Sequence, residues 1–193
     1  ALEREGDAIG AVRTSQGLLR ADAYVVALGS HAPFLVRPLG LNLPVYPLKG
    51  YSITVPVSDP DTVPRMAVMD EHNKIMISRL GNRIRAAGMA ELTGYGLGLN
   101  PARRKLLVDV VGELFPRGLD WDQVEFWAGL RPMTPDGPPI LGRTRWSNLF
   151  LNSGHGSNGW TQSCGTSRIV ADIVAGRQPA IDLDGLTAER FHT

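Results

Sequence analysis

Cysteine is almost absent. Cys164 stands alone among 193 residues, which excludes an internal disulfide framework and a cysteine-based structural zinc site and makes a reducing compartment the default. Long apolar runs are missing too: none approaches the roughly 20 residues that a membrane-spanning helix needs. The opening Ala1-Leu2-Glu3-Arg4-Glu5 is too charged for a secretory signal. Nor is there an excess of charge of either sign. Twenty Lys and Arg are interspersed with 19 Asp and Glu, for a net charge of +1, so the chain carries no basic stripe for a nucleic-acid partner. Its densest run, Arg103-Arg104-Lys105, reads as a solvated helix face. His31, His72 and His192 lack metal-ligand spacing. An initial methionine is absent and the chain opens in mid-pattern, as expected of the C-terminal piece of a longer protein. What is present is ordinary globular material: 43% hydrophobic residues, enough for one large core or two modest ones.

Periodicity orders the chain. Ala8 to Val12 and Leu18 to Arg20 read as a hairpin around Ser15-Gln16-Gly17. Ala23 to Leu28 is a continuous apolar run ending in Gly29-Ser30, the pattern of a strand covered on both faces whose end opens on a ligand crevice. The parallel sheet it would join is expected outside this chain. From Val45 the pattern becomes one of antiparallel strands: Tyr51, Ile53 and Val55 alternate with Ser52 and Thr54, Ile75 and Ile77 follow, and Arg83 and Arg85 flank Ile84. Asp70-Glu71-His72-Asn73 is a turn between two of them. Asn100 caps a helix with Pro101 at its first position, Leu106, Leu107, Val110, Val111 and Leu114 form the buried stripe, and Pro116 and Gly118 end it. Val124 to Trp127 return as a strand.

Asn148 to Gly176, NLFLNSGHGSNGWTQSCGTSRIVADIVAG, is an apolar strand, a glycine-rich turn and a helix. Gly154, Gly156 and Gly159 match the letters G-x-G-x-x-G, but the dinucleotide fingerprint needs a second parallel strand with an acidic residue about 20 positions on. Arg177-Gln178-Pro179 leaves no such strand before Asp182 and Asp184. A serine nucleophile elbow also fails, because His155 stands where G-x-S-x-G around Ser157 requires glycine. What remains is a turn and helix start suited to an anionic or carbonyl-rich group, contacting a large cofactor from its far end.

The segment Gly129 to Gly142 presents one arginine, Arg131, from a proline-stiffened loop. Its planar fork suits a carboxylate. A structural ion pair with Asp136 is an equal reading.

At these residues a resemblance appears. ADAYVVALGS, YPLKGYSI, RAAGMAE, FWAGLRPMTPDGPPILGR and LFLNSGHGSNGWTQSCGTSRIVADIVAG, in this order, resemble the C-terminal half of the bacterial FAD-dependent D-amino-acid dehydrogenases, within the D-amino-acid oxidase, glycine oxidase and sarcosine oxidase superfamily. It implies an α+β fold: an antiparallel substrate-binding sheet with one helix over 45–128, flanked by 1–44 and 129–193 as the C-terminal part of a Rossmann-like FAD-binding domain whose N-terminal βαβ unit would lie upstream. It implies oxidative deamination of D-amino acids such as D-alanine, with hydride passing from the α-carbon to flavin N5 and hydrolysis of the imino acid to a 2-oxo acid and ammonia. Glycine- or sarcosine-type oxidation with oxygen, and an isolated fragment that catalyses nothing, are the alternatives.

By the same resemblance Arg131 matches the arginine that holds the substrate carboxylate, while Lys49, Tyr51 and Met89 match substrate-side elements. Ala27, Leu28 and Gly29 match the strand end beside the cofactor. Gly154, His155, Gly156, Ser157, Asn158, Gly159, Trp160 and Thr161 match the loop and helix start against the flavin. His155 reads as a loop residue rather than a base. Cys164, in the run Ser163-Cys164-Gly165-Thr166-Ser167, reads as close packing of a buried helix, so FAD is expected to be non-covalent. The implied partners are a D-amino acid, the N-terminal FAD-binding half in cis or in trans, a membrane quinone, and other copies of this chain through exposed sheet surface. The implied location is cytoplasmic, peripheral on the inner membrane.

Overall fold

A computed structural model describes residues 1–191; His192 lies outside the described residues. The chain divides into two compact units, Leu48–Leu130 and the combination of Ala1–Pro47 with Arg131–Thr193.

The chain opens with a three-stranded antiparallel meander, β1 (Leu2–Glu5), β2 (Ala8–Thr14) and β3 (Gly17–Leu19), in the order β1-β2-β3. β2 and β3 are the expected hairpin. β1 was not expected, because Leu2 is its only apolar residue. β4 (Tyr24–Val26) is shorter than the expected 23–28 strand and is covered on one face only: Tyr24 and Val26 are buried, while Val25 is 48% exposed. Leu28 is 52% exposed, and Gly29 begins a tight 3-10 turn (Gly29–His31) that leads into α1 (Ala32–Val36).

The next unit is built on β5 (Tyr46–Pro56), β6 (Val68–Asp70), β7 (Ile75–Leu80) and β8 (Arg83–Glu91), then α2 (Pro101–Leu114) and β9 (Glu125–Met133), with strand order β6-β7-β8-β5-β9. Ile53, Val55, Ile75, Ile77 and Ile84 are fully buried, and Leu107 and Val111 of α2 close the cluster over them. At about 1.5–3 kcal/mol for each large apolar side chain removed from water, these residues supply the unit's main driving force. Asn100 caps α2 as expected, its Oδ1 accepting from Ala102 N–H at 3.0 Å. Leu114, assigned to the buried stripe, is 48% exposed instead, since the helix ends on its turn. The Asp70 carboxylate builds the expected turn by accepting from the backbone N–H groups of His72 and Asn73.

β10 (Ile140–Arg143), β11 (Leu149–Ser153) and α3 (Gly159–Val174) complete the chain. β11 pairs antiparallel with β10 and parallel with β4, giving the order β10-β11-β4. β4 therefore has a parallel partner inside this chain, contrary to expectation. Alternation along β11 splits its contacts: Leu149 and Leu151 enter the core with Tyr24, Val26 and Val36, while Phe150 meets Val170 and Ile173 of α3 with Leu141. The far end of α3 is fixed by Asp172, 6% exposed, whose carboxylate accepts from Arg168 Nε at 3.0 Å and Arg177 Nε at 2.8 Å.

Candidate flavin cleft and substrate residues

β11 runs out at Ser153, whose hydroxyl donates to the Gly29 carbonyl at 3.1 Å and so ties the turn after β4 to the turn after β11. Glycine is required at two points here. Gly154 has φ +79°, and a Cβ on it would lie 2.7 Å from Thr134 Cγ2; Gly156 has φ +57°, with Met133 Sδ at 2.8 Å from the corresponding position. The chain then enters α3 behind Asn158, whose side chain makes no capping bond. The first-turn N–H groups of α3, at Gly159, Trp160 and Thr161, have no intrahelical acceptor by helix geometry.

A cleft of about 280 Å³ opens at this point, lined by Ala27, Gly29, Pro132, Asn152, His155 and Gly156, with Gly159, Ser163, Thr166 and Ser167 from α3. Five of the expected cofactor residues, Ala27, Gly29, His155, Gly156 and Gly159, come together there. Gly154 is buried behind the cleft, and Leu28, Ser157, Asn158, Trp160 and Thr161 are exposed outside its lining. Trp160 is 93% exposed. Sequence reasoning missed Pro132, Asn152, Ser163, Thr166 and Ser167. The signals were a polar residue interrupting the apolar run of β11 and hydroxyls recurring at helical spacing on α3.

His155 is half-buried, with Nε2 3.2 Å from Thr166 Oγ1. The Thr166 hydroxyl also lies 3.1 Å from the Gln162 carbonyl, so one hydroxyl links the His155 ring to the α3 backbone and the ring braces the helix. Burial lowers the imidazole pKa and keeps it neutral. Cys164 is exposed, which corrects its reading as a buried packing residue: of the run Ser163 to Ser167 only Thr166 is buried.

Arg131 lies on β9, not in a loop; the irregular part begins at Thr134. Asp136 is engaged by Arg190, which donates from Nε to Oδ2 at 2.7 Å and from Nη2 to Oδ1 at 3.2 Å, so the aspartate named in the ion-pair reading of Arg131 is held by an Arg190 fork. Next to Arg131, the Pro132 carbonyl accepts from Gly156 N–H at 2.9 Å, and Met133 and His155 form a β-bridge. Partial burial disfavours the charged guanidinium and lowers its pKa, yet an arginine stays protonated at neutral pH.

In the Leu48–Leu130 unit, Lys49 and Tyr51 are only 4% and 2% exposed. The Lys49 ammonium donates to the Gly98 carbonyl and lies 4.9 Å from the Tyr51 ring centroid. Tyr51 stacks on Phe126 and donates its hydroxyl to Glu91 Oε2 at 2.8 Å; Arg103 Nε donates to Glu91 Oε1 at 2.6 Å. The Tyr51 and Arg103 bonds hold the Glu91 carboxyl below its ordinary pKa. The polar ends of Lys49 and Tyr51 are thus spent inside the unit. Met89 has φ +68°. It sits where the β5–β8 register steps from Lys49↔Glu91 to Tyr51↔Gly88, a bulge with its extra residue on β8.

The glycine turn, the uncapped start of α3 and the cleft's polar lining fit one end of a flavin, and the cleft is too small for a whole dinucleotide. The comparisons with known proteins place the chain in a flavoenzyme family. Residues 1–173 match the family model described as DAO, FAD dependent oxidoreductase. D-amino acid dehydrogenase of Rhizorhabdus wittichii is 53% identical over 191 residues, 99% of this chain and 46% of that protein. The Methylobacterium radiotolerans enzyme of the same name is 55% identical, over 98% of this chain and 46% of its own length. Among solved structures, glycine oxidase from Geobacillus kaustophilus superposes with a TM-score of 0.80 at 30% identity, covering 92% of this chain and 48% of that one. L-proline dehydrogenase from P. horikoshii, at 17% identity and TM-score 0.85, shares the fold. The chain spans about half the length of the curated relatives it matches. It belongs to the DAO family of FAD-dependent oxidoreductases.

Proposed function

We propose that this chain forms the substrate-binding half and the ring-side wall of the cofactor site in an enzyme that oxidatively deaminates D-amino acids, such as D-alanine, to 2-oxo acids and ammonia. FAD, bound non-covalently, supplies the hydride acceptor. The observation that carries the reading is the stitching of β9 to the glycine turn through Gly156 N–H to Pro132 carbonyl at 2.9 Å and the Met133–His155 bridge, which fixes Arg131 beside a backbone locked against the cofactor turn. From that strand the guanidinium takes the substrate carboxylate in a bidentate grip and turns the α-hydrogen toward the acceptor. The first-turn N–H groups of α3 set a positive potential where an anionic or carbonyl-rich ring edge docks.

Within the Leu48–Leu130 unit, Met89 is the proposed substrate-side residue, with Lys49 and Tyr51 as its internal support. The exposed apolar residues Val25, Leu28 and Trp160 suit the FAD-phosphate-binding half, in cis or in trans, or a second copy of this chain. Among the described residues no helix is long and apolar enough to cross a membrane; a quinone acceptor and peripheral attachment to the cytoplasmic face of the inner membrane complete the proposal.

Anaerobic mixing of the flavin-loaded, full-length protein with D-alanine tests the reading. Bleaching of the flavin by D-alanine and not by L-alanine is expected, and its absence across a panel of D-amino acids refutes it. The 30% identity to glycine oxidase favours amine oxidation with oxygen as the second reading. Rapid turnover with oxygen and none with quinone analogues would select it.

A further inference from the structure

The loop between β8 and α2 has no place in the reading so far. From Leu92 to Ala102 the sequence, LTGYGLGLNPA, holds no charged residue, and no helix or strand forms before Pro101. Its leucines face water: Leu92 is 76% exposed, Leu97 54% and Leu99 51%. A slack loop could fold such side chains beneath itself, but this one is clasped. Glu91, at the end of β8, accepts from Arg103 Nε at 2.6 Å across the two ends of the loop, and the buried Lys49 ammonium donates to the Gly98 carbonyl. Charge stands beside the leucines against local preference. Arg103, Arg104 and Lys105 lie at the start of α2, whose first turn has no acidic residue, although the positive end of a helix dipole favours anions. Arg103 pairs with Glu91, and Lys105 with Asp109 in an exposed contact that water screens. Arg104 is exposed and has no ion-pair partner among the described residues.

We propose that this loop and the start of α2 form a lipid-docking surface: Leu92, Leu97 and Leu99 enter the boundary between headgroups and acyl chains of an anionic bilayer, and Arg104 and Lys105 meet its phosphates. The assignment rests on the peripheral attachment proposed above and gives it residues. A bilayer suits this surface better than a folded protein does. The leucine side chains carry no directional groups, so their counterpart need only be apolar, and the adjoining helix start supplies a positive rim for anionic headgroups.

Sedimentation of the full-length, flavin-loaded protein with lipid vesicles tests it. Binding to phosphatidylcholine vesicles containing about one-third phosphatidylglycerol is expected, with weaker binding to phosphatidylcholine alone. Leu97→Ser combined with Leu99→Ser lowers the partition coefficient about tenfold or more on both compositions, because the loop loses most of its apolar area there. Arg104→Gln combined with Lys105→Gln lowers it about ten- to thirtyfold on the anionic vesicles, at about fivefold per cation, and little on the neutral ones. All four positions are exposed, so melting temperature, FAD content and flavin bleaching by D-alanine in solution stay at wild type. Wild-type binding that neither pair weakens overturns the proposal and leaves peripheral attachment to another surface. Wild-type protein that binds neither vesicle brings down both. Loss of FAD, or a changed oligomeric state on size exclusion with vesicle binding intact, assigns the loop to a protein contact and likewise overturns the proposal.

Discussion

If Arg131 clamps the substrate carboxylate, its two substitutions separate charge from geometry. Arg131→Lys keeps a cation but loses the planar fork; Arg131→Ala loses both. Arg131 is half-buried on β9 and its guanidinium is partly desolvated, so a carboxylate bound there is less screened by water than at a surface pair. Each charge-assisted bond then contributes roughly 1.5–3 kcal/mol. At about 1.4 kcal/mol per decade, kcat/KM for D-alanine falls about one to two decades for the lysine variant, which forfeits one bond, and about two to four for alanine. FAD content, read from the absorbance ratio of flavin to protein, stays near wild type in both, because the adjoining Pro132 and Met133 backbone holds the turn, not the Arg131 side chain. A neutral amine lacking the carboxylate is affected much less than D-alanine. Should Arg131→Ala shed FAD or unfold while the remaining holoenzyme turns over D-alanine at wild-type efficiency, the clamp is wrong and Arg131 is a framework residue.

Three further outcomes follow from the geometry. Gly154→Ala combines a left-handed backbone with a Cβ 2.7 Å from Thr134 Cγ2, and Thr134 is pinned by bonds to Pro138 and Gly137; a loss of about 1–3 kcal/mol in chemical denaturation is expected, and wild-type stability would show that the turn is loose. His155 has its pKa lowered by burial, so the unfolded chain takes up a proton near pH 6.5 before the native one does. Its contribution to stability is complete above about pH 6.5 and is lost as pH falls through the folded value. His155→Gln should therefore flatten the melting-temperature profile between pH 7 and 5, and an unchanged slope would contradict the assignment. The Asp172 carboxyl is held low by Arg177 and Arg168, so its contribution is present above the ordinary carboxylate range and is lost as pH falls through the folded value; Asp172→Asn should lower the melting temperature at pH 7 and lose that acid dependence.

The strands of the Leu48–Leu130 unit were legible because their alternation reports burial directly: Ile53, Val55, Ile75, Ile77 and Ile84 each sit at the position that period-two reading assigns to the core, and each is 0% exposed. Asn100-Pro101 gave the start of α2 for an equally local reason, since the cap bond spans two residues. β1 was invisible because a charged edge strand carries no such signal. β4 was misjudged for the opposite reason: Ala23 to Leu28 is apolar on both sides, but within this chain only the Tyr24 and Val26 side is packed, and composition alone does not say which surfaces a strand will find covered.

The site divides along the same line. Gly154 and Gly156 could be read from the sequence because a backbone requirement leaves a glycine behind it, and their positive φ values are that requirement. Partner choices could not. Asp136 lies five residues from Arg131 and yet pairs with Arg190, 54 positions away; Tyr51 and Arg103 converge on Glu91 from 40 and 12 positions away. Such pairings are decided by the fold, after strand register and helix docking have brought side chains together. Asn152 shows the intermediate case: one polar residue inside an apolar strand marks a position that the fold turns toward the cleft, and alternation alone does not say what that position meets.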